Sequence, residues 1–376
     1  MRGANVQDDE GLCLHRCQRR AIAFVRGEKR FETTTRERIE VKKNRIAIAF
    51  FSVLAVALVL VAVAAARSAD ANKAAIVTDT AGLNDRSFNF MANKGRLKAQ
   101  ATLGMETRAY ISKSSSDYLP NMVAAAQAGN GLVVANGFFL ADAVNTAAGQ
   151  FPDTKFAIVD FPQVALKDKP ANALGLTFKS EESGYLVGYL AGEMALAKGG
   201  KQVVSAVGGA KIPSVDNWIA GFRAGAKKAN PKISVLIGYS NLFPPSAAPK
   251  CKEIALKQIA QGSQAVFQVA GGCGLGALDA AKQKKVWGIG VDADQYYLGP
   301  HILTSGVKRV DTAVFTAMSL SKAGKLVGGK DLVFNLKNGG QDVGKISPKV
   351  PKAFIAKMNV IKKQIISGKI KPPVAL

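Results

Sequence analysis

From residue 74 onward, short apolar runs alternate with alanine-rich segments whose apolar positions recur with helical period. Ten runs predict β-strands, at Ala74–Asp79, Thr107–Ser112, Gly131–Asn136, Phe156–Phe161, Ala173–Phe178, Gln202–Gly208, Ile233–Tyr239, Ala265–Ala270, Val286–Asp292 and Ile302–Lys308. Helices are predicted between most of them, for example at Ser87–Ala101, Tyr118–Ala128, Glu181–Ala197, Val215–Ala229, Lys250–Gln261 and Leu275–Gln283. Near-continuous apolar strands separated by helices indicate parallel sheets that are covered on both faces.

Ten strands are too many for one comfortable domain of this length, so the pattern predicts an α/β protein with two doubly wound parallel-sheet lobes. The expected N-terminal lobe comprises residues 70–178 plus about 304–326. The expected C-terminal lobe comprises residues 179–303 plus about 327–344, followed by a basic tail at 345–376. A cleft between two such lobes is a natural site for a small molecule.

The N-terminal region has the pattern of an export signal. A basic stretch, Lys42–Arg45, precedes the apolar run Ile46–Ala66, which ends in the small residues Ala64-Ala-Ala66. This order predicts a signal peptide at residues 41–69 and a periplasmic protein. The alternative is a retained membrane anchor, because about 20 apolar residues can span a bilayer. Residues 1–40 form an extension that we expect not to be translated, with the start near Val41.

The chain is strongly basic, with a formal net charge of +24. A basic chain can bind nucleic acid or an anionic surface. Here, however, the lysines are scattered singly along predicted helices and aromatic residues do not interleave with them, so a solvated surface is the better interpretation. The part of the chain after the predicted signal has one histidine, His301, which argues against histidine-based triads and histidine-rich metal sites, because a single histidine is more often a surface residue.

Two cysteines, Cys251 and Cys273, follow the predicted signal. Thiols in an oxidising compartment are usually paired or buried. The sequence leaves both possibilities open, because spacing along the chain does not reveal the distance between the sulfur atoms.

Three predicted strands end in an aspartate, at Asp79, Asp160 and Asp292. In open α/β sheets, ligands bind outside the carboxyl ends of the strands. After Asp79 comes a glycine-containing loop, and then Phe88 and Asn89 open a predicted helix. A carboxylate beside an aromatic ring and an amide suits a polar, ring-shaped ligand. For any single aspartate, the alternative is a cap on the helix or turn that follows.

Two motifs point to other chemistry. The segment Gly272–Ala277 fits G-x-G-x-x-A, and Asp292 lies 20 residues after Gly272, which is the layout of a dinucleotide-binding turn. Ser305 and Lys308 have the Ser-x-x-Lys spacing of penicillin-recognising enzymes, but the companion motifs of that class are missing. A lysine that reaches a ligand hydroxyl is the better interpretation of Lys308, with a surface lysine as the alternative.

From about Ala74 to Lys325, the sequence resembles the basic membrane protein (BMP) family of ABC transporter substrate-binding proteins. The resemblance rests on the order and spacing of six segments: Val77-Thr-Asp79 with Asn84–Asn89, Phe156–Asp160, Gly184–Gly192, Ile212-Pro with Gly221–Gly225, Gly290–Gln295, and Leu303–Asp311. It implies a type I periplasmic-binding-protein fold, a purine nucleoside as ligand and permease subunits as partners. It implies no enzyme activity, cofactor, metal or nucleic acid.

The resemblance also implies roles for individual residues. Phe88 would stack on the base. The residues implied to contact the polar edges of the ligand are Asp79, Asn89 and Asp160. Those implied at the ribose are Asp292 and Lys308, with Gly271 and Gly272 allowing the backbone to approach. The second ring falls at Phe243, where the sequence departs from the family's Gly-Ser-Phe-x-Asp pattern, and Trp218 is the substitute candidate. The alternatives are a sugar or another small polar metabolite as ligand, or an exported nucleoside-acting enzyme.

Overall fold

The computed structural model describes residues 69–376, and the predicted extension and apolar run at 46–66 lie outside this range. The strands of the described part are β1 (Asp70–Thr78), β2 (Glu106–Tyr110), β3 (Asn130–Asn136), β4 (Lys155–Val159), β5 (Ala173–Phe178), β6 (Val203–Gly208), β7 (Ser234–Tyr239), β8 (Ser263–Val269), β9 (Trp287–Asp292), β10 (Ile302–Lys308), β11 (Asp331–Phe334) and β12 (Gln341–Val343). The α-helices are α1 (Phe88–Leu103), α2 (Tyr118–Gln127), α3 (Ala141–Gln150), α4 (Ser180–Lys198), α5 (Pro213–Ala229), α6 (Ala248–Ala260), α7 (Gly274–Gln283), α8 (Val310–Lys322) and α9 (Lys352–Ile366).

The strands form two six-stranded sheets, one in each lobe. The order in the N-terminal sheet is β11-β5-β4-β3-β1-β2, and all its pairings are parallel. The order in the C-terminal sheet is β12-β10-β9-β8-β6-β7, with only β12 antiparallel. Two apolar clusters lie in each lobe. This arrangement confirms the predicted fold class, and it explains the apolar central strands because both faces of each sheet are covered there.

All ten predicted strands are present, with bounds that differ by at most a few residues. The structure adds β11 and β12, together with α3, α8 and α9. The last of these lies within the predicted tail, where its residues Met358, Ile361 and Ile365 are buried. Part of the segment 345–376 is therefore a packed helix of the C-terminal lobe. This helix, α9, contacts α4.

The lobe bounds in the structure differ from the predicted ones in the last third of the chain. All of β10 pairs with β9 in the C-terminal sheet, and the chain passes to the N-terminal lobe at Arg309, where α8 begins to pack on α1. The predicted change at residue 304 would have divided this strand. The return to the C-terminal lobe was predicted at about residue 327. In the structure it comes later, after β11 (Asp331–Phe334), because this strand still pairs with β5 of the N-terminal sheet. β11 has only four residues, which is too short a run to be recognised as a strand in the sequence.

Two helices of the C-terminal lobe approach each other closely through glycine. A Cβ atom on Gly188 of α4 would lie 2.1 Å from the carbonyl oxygen of Phe222, and one on Gly225 of α5 would lie 1.9 Å from that of Tyr185. Both separations are too short for any side chain. The glycine spacing of these two segments is thus explained by helix packing.

Candidate ligand-binding site

A cleft with about 560 Å³ of empty space, part of it open to solvent, lies between the lobes at the carboxyl ends of the strands. Seven of the nine predicted ligand residues line it: Asp79, Phe88, Asp160, Phe243, Gly271, Asp292 and Lys308. Both lobes contribute to this set: the first three residues belong to the N-terminal lobe and the other four to the C-terminal lobe. The strand-end aspartates therefore converge on one site, as their repeated position predicts.

A buried cluster of charges forms the centre of the cleft. The ammonium of Lys308 lies 2.5 Å from Asp160 Oδ2 and 3.8 Å from Asp292 Oδ1. Each of the three side chains is less than a tenth exposed. Asp160 and Asp292 both have left-handed backbone conformations, with φ of 65° and 61°. Aspartate tolerates this region better than most residues.

The Phe88 ring lies next to this charge cluster. The ammonium of Lys308 is 4.7 Å from the centre of the Phe88 ring and 5.3 Å from that of Phe178. Both distances are within the range of a cation–π interaction. Phe88 is half-buried, so it presents an apolar surface to the cleft beside a buried group of charges.

Asp79 and Asn89 form a hydrogen-bonded chain on the N-terminal side of the cleft. Asn89 Nδ2 donates to Asp79 Oδ1 at 2.6 Å, and Asn136 Nδ2 donates to Asn89 Oδ1 at 2.8 Å. Burial raises the pKa of Asp79 above its usual value, although the bond from Asn89 opposes this. Asn89 is fully buried and does not line the cleft, so the structure places it behind Asp79 and not at the cleft surface.

Asp85 and Ser87 are site residues that the sequence prediction missed. The Asp85 carboxylate lines the cleft and accepts the backbone N–H groups of Ser87, Asn89 and Phe90 at 2.7–3.0 Å, so it holds the start of α1. Burial raises the pKa of Asp85 to about 7 against the lowering effect of these bonds. Carboxylates before a helix are a recognisable capping signal, which could have identified Asp85 in the sequence.

The hydroxyl of Ser87 links the two lobes. It donates to Asp292 Oδ2 at 2.6 Å, so the carboxylate lies between this hydroxyl and the ammonium of Lys308. Burial raises the pKa of Asp292, whereas Lys308 and the Ser87 bond lower it. Because the bond depends on the approach of the two lobes, the local sequence carries no signal for it.

Aromatic rings from both lobes border the opening of the cleft. Phe138 and Phe139 follow β3 and line the cleft, and Phe139 meets Phe243 from the other lobe with ring centres 6.0 Å apart. Phe138 packs on Phe161 at 5.1 Å. Neither Phe138 nor Phe139 was predicted, although two consecutive aromatic residues after a strand-end glycine are a usable signal.

The structure separates the two candidates for the second ring. Trp218 is only 1% exposed and packs edge-on against Phe267, so it is a core residue at the base of the cleft. Phe243 is half-buried and lies over Gly209, where a Cβ atom would come within 2.2 Å of the ring. Phe243 is therefore the better placed of the two to present a ring face to a ligand.

The glycines of the G-x-G-x-x-A segment are used for packing. A Cβ on Gly272 would lie 2.6 Å from the Pro245 ring, and one on Gly276 would lie 1.8 Å from the carbonyl oxygen of Ala248. Gly272 accordingly does not line the cleft, in contrast to the adjacent Gly271. These glycines allow α7 to approach the loop and helix in front of it, so packing accounts for them.

Two further sequence predictions are resolved. Cys251 and Cys273 form a disulfide, with Cα atoms 5.7 Å apart. Ser305 is fully buried and its Oγ accepts the N–H of Gln295 at 3.0 Å, while the Lys308 ammonium turns to Asp160. The Ser305 hydroxyl therefore has a structural role. Ser305 and Lys308 lie three residues apart on β10, and their side chains bond to different partners.

Within residues 69–376, no helix is long and apolar enough to cross a membrane. The same part of the chain contains no group of three or more His, Cys, Asp or Glu side chains arranged to hold a metal ion.

Comparison with protein families identifies one matching model. Residues 72–375 match the Bmp family, described as ABC transporter substrate-binding protein, PnrA-like. The match covers nearly all of the part that the structure describes.

Individual relatives extend this result. The chain is 37% identical over 372 residues to the ABC transporter nucleoside-binding protein BmpA of Lactococcus lactis, with 89% of this chain and 99% of the relative covered. It is 34% identical to basic membrane protein A of Borreliella burgdorferi, with 68% and 74% covered. Among solved structures, an ABC transporter solute-binding protein from Aeropyrum pernix superposes with a TM-score of 0.73 at 25% identity, over 80% of this chain and 93% of that one.

Proposed function

This chain belongs to the Bmp family of ABC transporter substrate-binding proteins, and we propose that it captures a purine nucleoside in the interlobe cleft and delivers it to a permease. The observation that carries the proposal is the position of the Phe88 ring beside the buried group of Asp160, Asp292 and Lys308. An aromatic face next to paired charges matches a ligand with a flat base at one end and hydroxyls at the other. The name of the Lactococcus relative, a nucleoside-binding protein, supports the same ligand class.

In this proposal, the base lies between Phe88 and Phe243, which border the cleft from opposite lobes. Stacking of a base on an aromatic side chain contributes about 1–3 kcal/mol and tolerates any base, because every base has a π-face. Identity is then read at the edge of the ring, where Asp79 is held by Asn89. The raised pKa of Asp79 suits a carboxyl group that meets a polar ring edge away from bulk water.

The ribose hydroxyls are proposed to bind Asp292 and Lys308. Hydrogen bonds to charged groups are about twice as strong as neutral ones. The same atoms now bond across the lobes, Asp292 with Ser87 and Lys308 with Asp160. Bound hydroxyls would insert into this network, so the two lobes would be held together through the ligand. Closure of two lobes around a ligand is the expected motion in this fold.

The proposal places the protein outside the cytoplasm, exported by the segment at residues 41–69, with permease subunits as partners. We propose no chemical step. A sugar is the second candidate ligand, because the Asp160, Asp292 and Lys308 group binds hydroxyls whether or not they belong to a nucleoside. The half-buried ring of Phe88 favours the nucleoside, since an extended apolar face adds affinity for a base.

Thermal unfolding of the purified, ligand-free protein with a panel of purine nucleosides, free bases and sugars tests the proposal. We expect a purine nucleoside to raise the unfolding temperature most, because a ligand that binds only the folded state stabilises it. A larger shift with a sugar would favour the second candidate. Consumption of a nucleoside during incubation with the protein would indicate an enzyme.

A further inference from the structure

The loop that carries Phe243 runs from Ser240 to Ala247, between β7 and α6, and is here called the Phe243 loop. The carbonyl oxygen of Phe243 accepts the N–H of Cys273 at 2.9 Å. Gly209 and Gly271 lie against the ring, with a Cβ on Gly271 only 3.8 Å from Phe243 Cδ1. The position of the ring therefore depends on the segment that precedes α7.

The Cys251–Cys273 disulfide and one hydrogen bond together close a ring around this loop. Cys251 lies in the first turn of α6, which directly follows the Phe243 loop, and Cys273 immediately precedes α7. Both cysteines are fully buried. The chain thus leads from Phe243 into α6, across the disulfide to Cys273, and back to Phe243 through the hydrogen bond of the Cys273 N–H.

We propose that this disulfide is a positioning element for the second stacking ring, so that its removal weakens binding of ring-shaped ligands while the lobes stay folded. The proposal rests on the proposed function, in which Phe243 stacks on the base. It assigns Cys251 and Cys273 no contact with the ligand, and their effect passes through the Phe243 loop.

The physical reason is pre-organisation. A loop that must be ordered when the ligand binds loses part of the gross interaction energy as conformational entropy, and a loop that is already ordered does not. The Pro245 ring rests on Gly272, and the Ala248 carbonyl rests on Gly276, so the two segments touch closely. Packing alone allows α6 to move slightly away from α7. The disulfide prevents this movement because it joins the two segments covalently.

A double-mutant cycle separates positioning from general stability. We compare inosine affinity by calorimetry for the wild type, Phe243→Ala, the pair Cys251→Ala with Cys273→Ala, and the combination. Phe243→Ala should weaken binding about 5- to 150-fold, the equivalent of one base–aromatic stack. The cysteine pair should weaken it by a smaller factor, about 3- to 10-fold. In the Phe243→Ala background, the cysteine change should have no further effect, because the ring that the disulfide positions is gone.

Equal factors in both backgrounds would overturn the proposal, because the disulfide would then act independently of the ring. So would unchanged affinity in the cysteine pair. Unfolding temperatures of all four proteins establish that they are folded. If the alanine pair does not fold, Cys251→Val with Cys273→Ala fills more of the buried volume and serves as the replacement.

Hydrogen exchange without ligand tests the positioning role separately from the proposed function. In the cysteine variant, exchange should rise about tenfold or more in peptides covering residues 240–247 and 270–274, the expected sign of local opening, and stay unchanged in β6. If this rise occurs but the wild type binds no nucleoside, the ligand assignment falls and the positioning role stands. Unchanged exchange in both peptides would overturn the positioning role whatever the ligand.

Discussion

The ammonium of Lys308 and the carboxylate of Asp160 lie 2.5 Å apart and join the two lobes of the protein. Lys308 ends β10 of the C-terminal sheet, and Asp160 follows β4 of the N-terminal sheet. Both side chains are buried, at 3% and 9% exposure. The pair is therefore an element of the cleft that responds to any change in lobe position.

Removal of Lys308 should destabilise the protein strongly. Lys308→Met leaves Asp160 buried without its cation, and breaking a buried pair in this way typically costs about 3–5 kcal/mol. Lys308→Met with Asp160→Asn should recover part of this loss, because residue 160 then carries no charge and only Asp292 is left without the lysine. Urea unfolding measures the free energy of unfolding of the single and the double variant. The control is Lys250→Met, which removes an exposed ion pair with Glu253 and should change the free energy of unfolding by at most about 1 kcal/mol. Similar losses for Lys308→Met and the double variant would contradict the buried-pair account.

Replacement of Phe88 should weaken nucleoside binding specifically. Phe88→Ala removes the proposed stacking surface and should lower affinity by about 1–3 kcal/mol, while Phe88→Tyr should retain most of it. Phe90 lies in the same turn of α1 and is 46% exposed, so Phe90→Ala is a matched control that should bind normally. Calorimetry with inosine measures all three. Equal affinities for Phe88→Ala and Phe90→Ala would refute the stacking role.

Asp292 should distinguish a nucleoside from its free base. Asp292→Ala removes the proposed partner of the ribose hydroxyls and should weaken inosine binding by about 1.5–3 kcal/mol, the range for hydrogen bonds to charged groups. Hypoxanthine has no ribose and should lose less. Calorimetric titration of the variant with both ligands measures the difference. Equal losses for the two would rule out the ribose role of Asp292.

Glu181 should make stability depend on pH. It is buried at the start of α4, one of its carboxylate oxygens has no hydrogen-bond partner in the described structure, and burial raises its pKa to about 7. Between its ordinary pKa of 4.5 and about pH 7, Glu181 keeps a proton in the folded protein that the unfolded chain has released. The contribution of Glu181 is thus fully present below the unfolded pKa and is lost as the pH rises through about 7.

Glu181→Gln mimics the protonated form and should therefore raise the free energy of unfolding at about pH 8, with a smaller gain at about pH 5. Denaturant unfolding at the two pH values measures this. Glu253→Gln, at an exposed site, is the control and should show no such gain. A gain for Glu181→Gln that is equal at both pH values would contradict the raised pKa.

The residues that could be predicted are those whose role follows from local sequence. Asp79, Asp160 and Asp292 end apolar strands, and parallel strands bring their carboxyl ends to one edge, so their convergence follows from the pattern. Phe88 follows from the loop after Asp79 and from the family resemblance. The central strands were predictable because they are buried on both faces and read as continuous apolar runs, whereas the edge strands β2 and β7 are partly exposed.

The features that were missed depend on how the lobes meet. The contacts of Phe139 with Phe243 and of Ser87 with Asp292 join residues more than 100 positions apart, and no local pattern reports such a distance. Asn89 and Gly272 were assigned to the cleft from motif position, but the structure shows them packed behind Asp79 and against Pro245. The bounds of the lobes near β10 and β11 also depend on sheet pairing, which composition does not encode.

Calorimetric titration of purified, ligand-free protein with inosine, adenosine and guanosine, and with ribose in parallel, tests the central claim most directly. Capture of a nucleoside in the cleft predicts saturable binding of at least one purine nucleoside with one site per chain, and much weaker binding of ribose, because ribose has no flat aromatic base to stack on Phe88 and Phe243. Binding of ribose or another sugar by folded protein that gives no response to any nucleoside would contradict it.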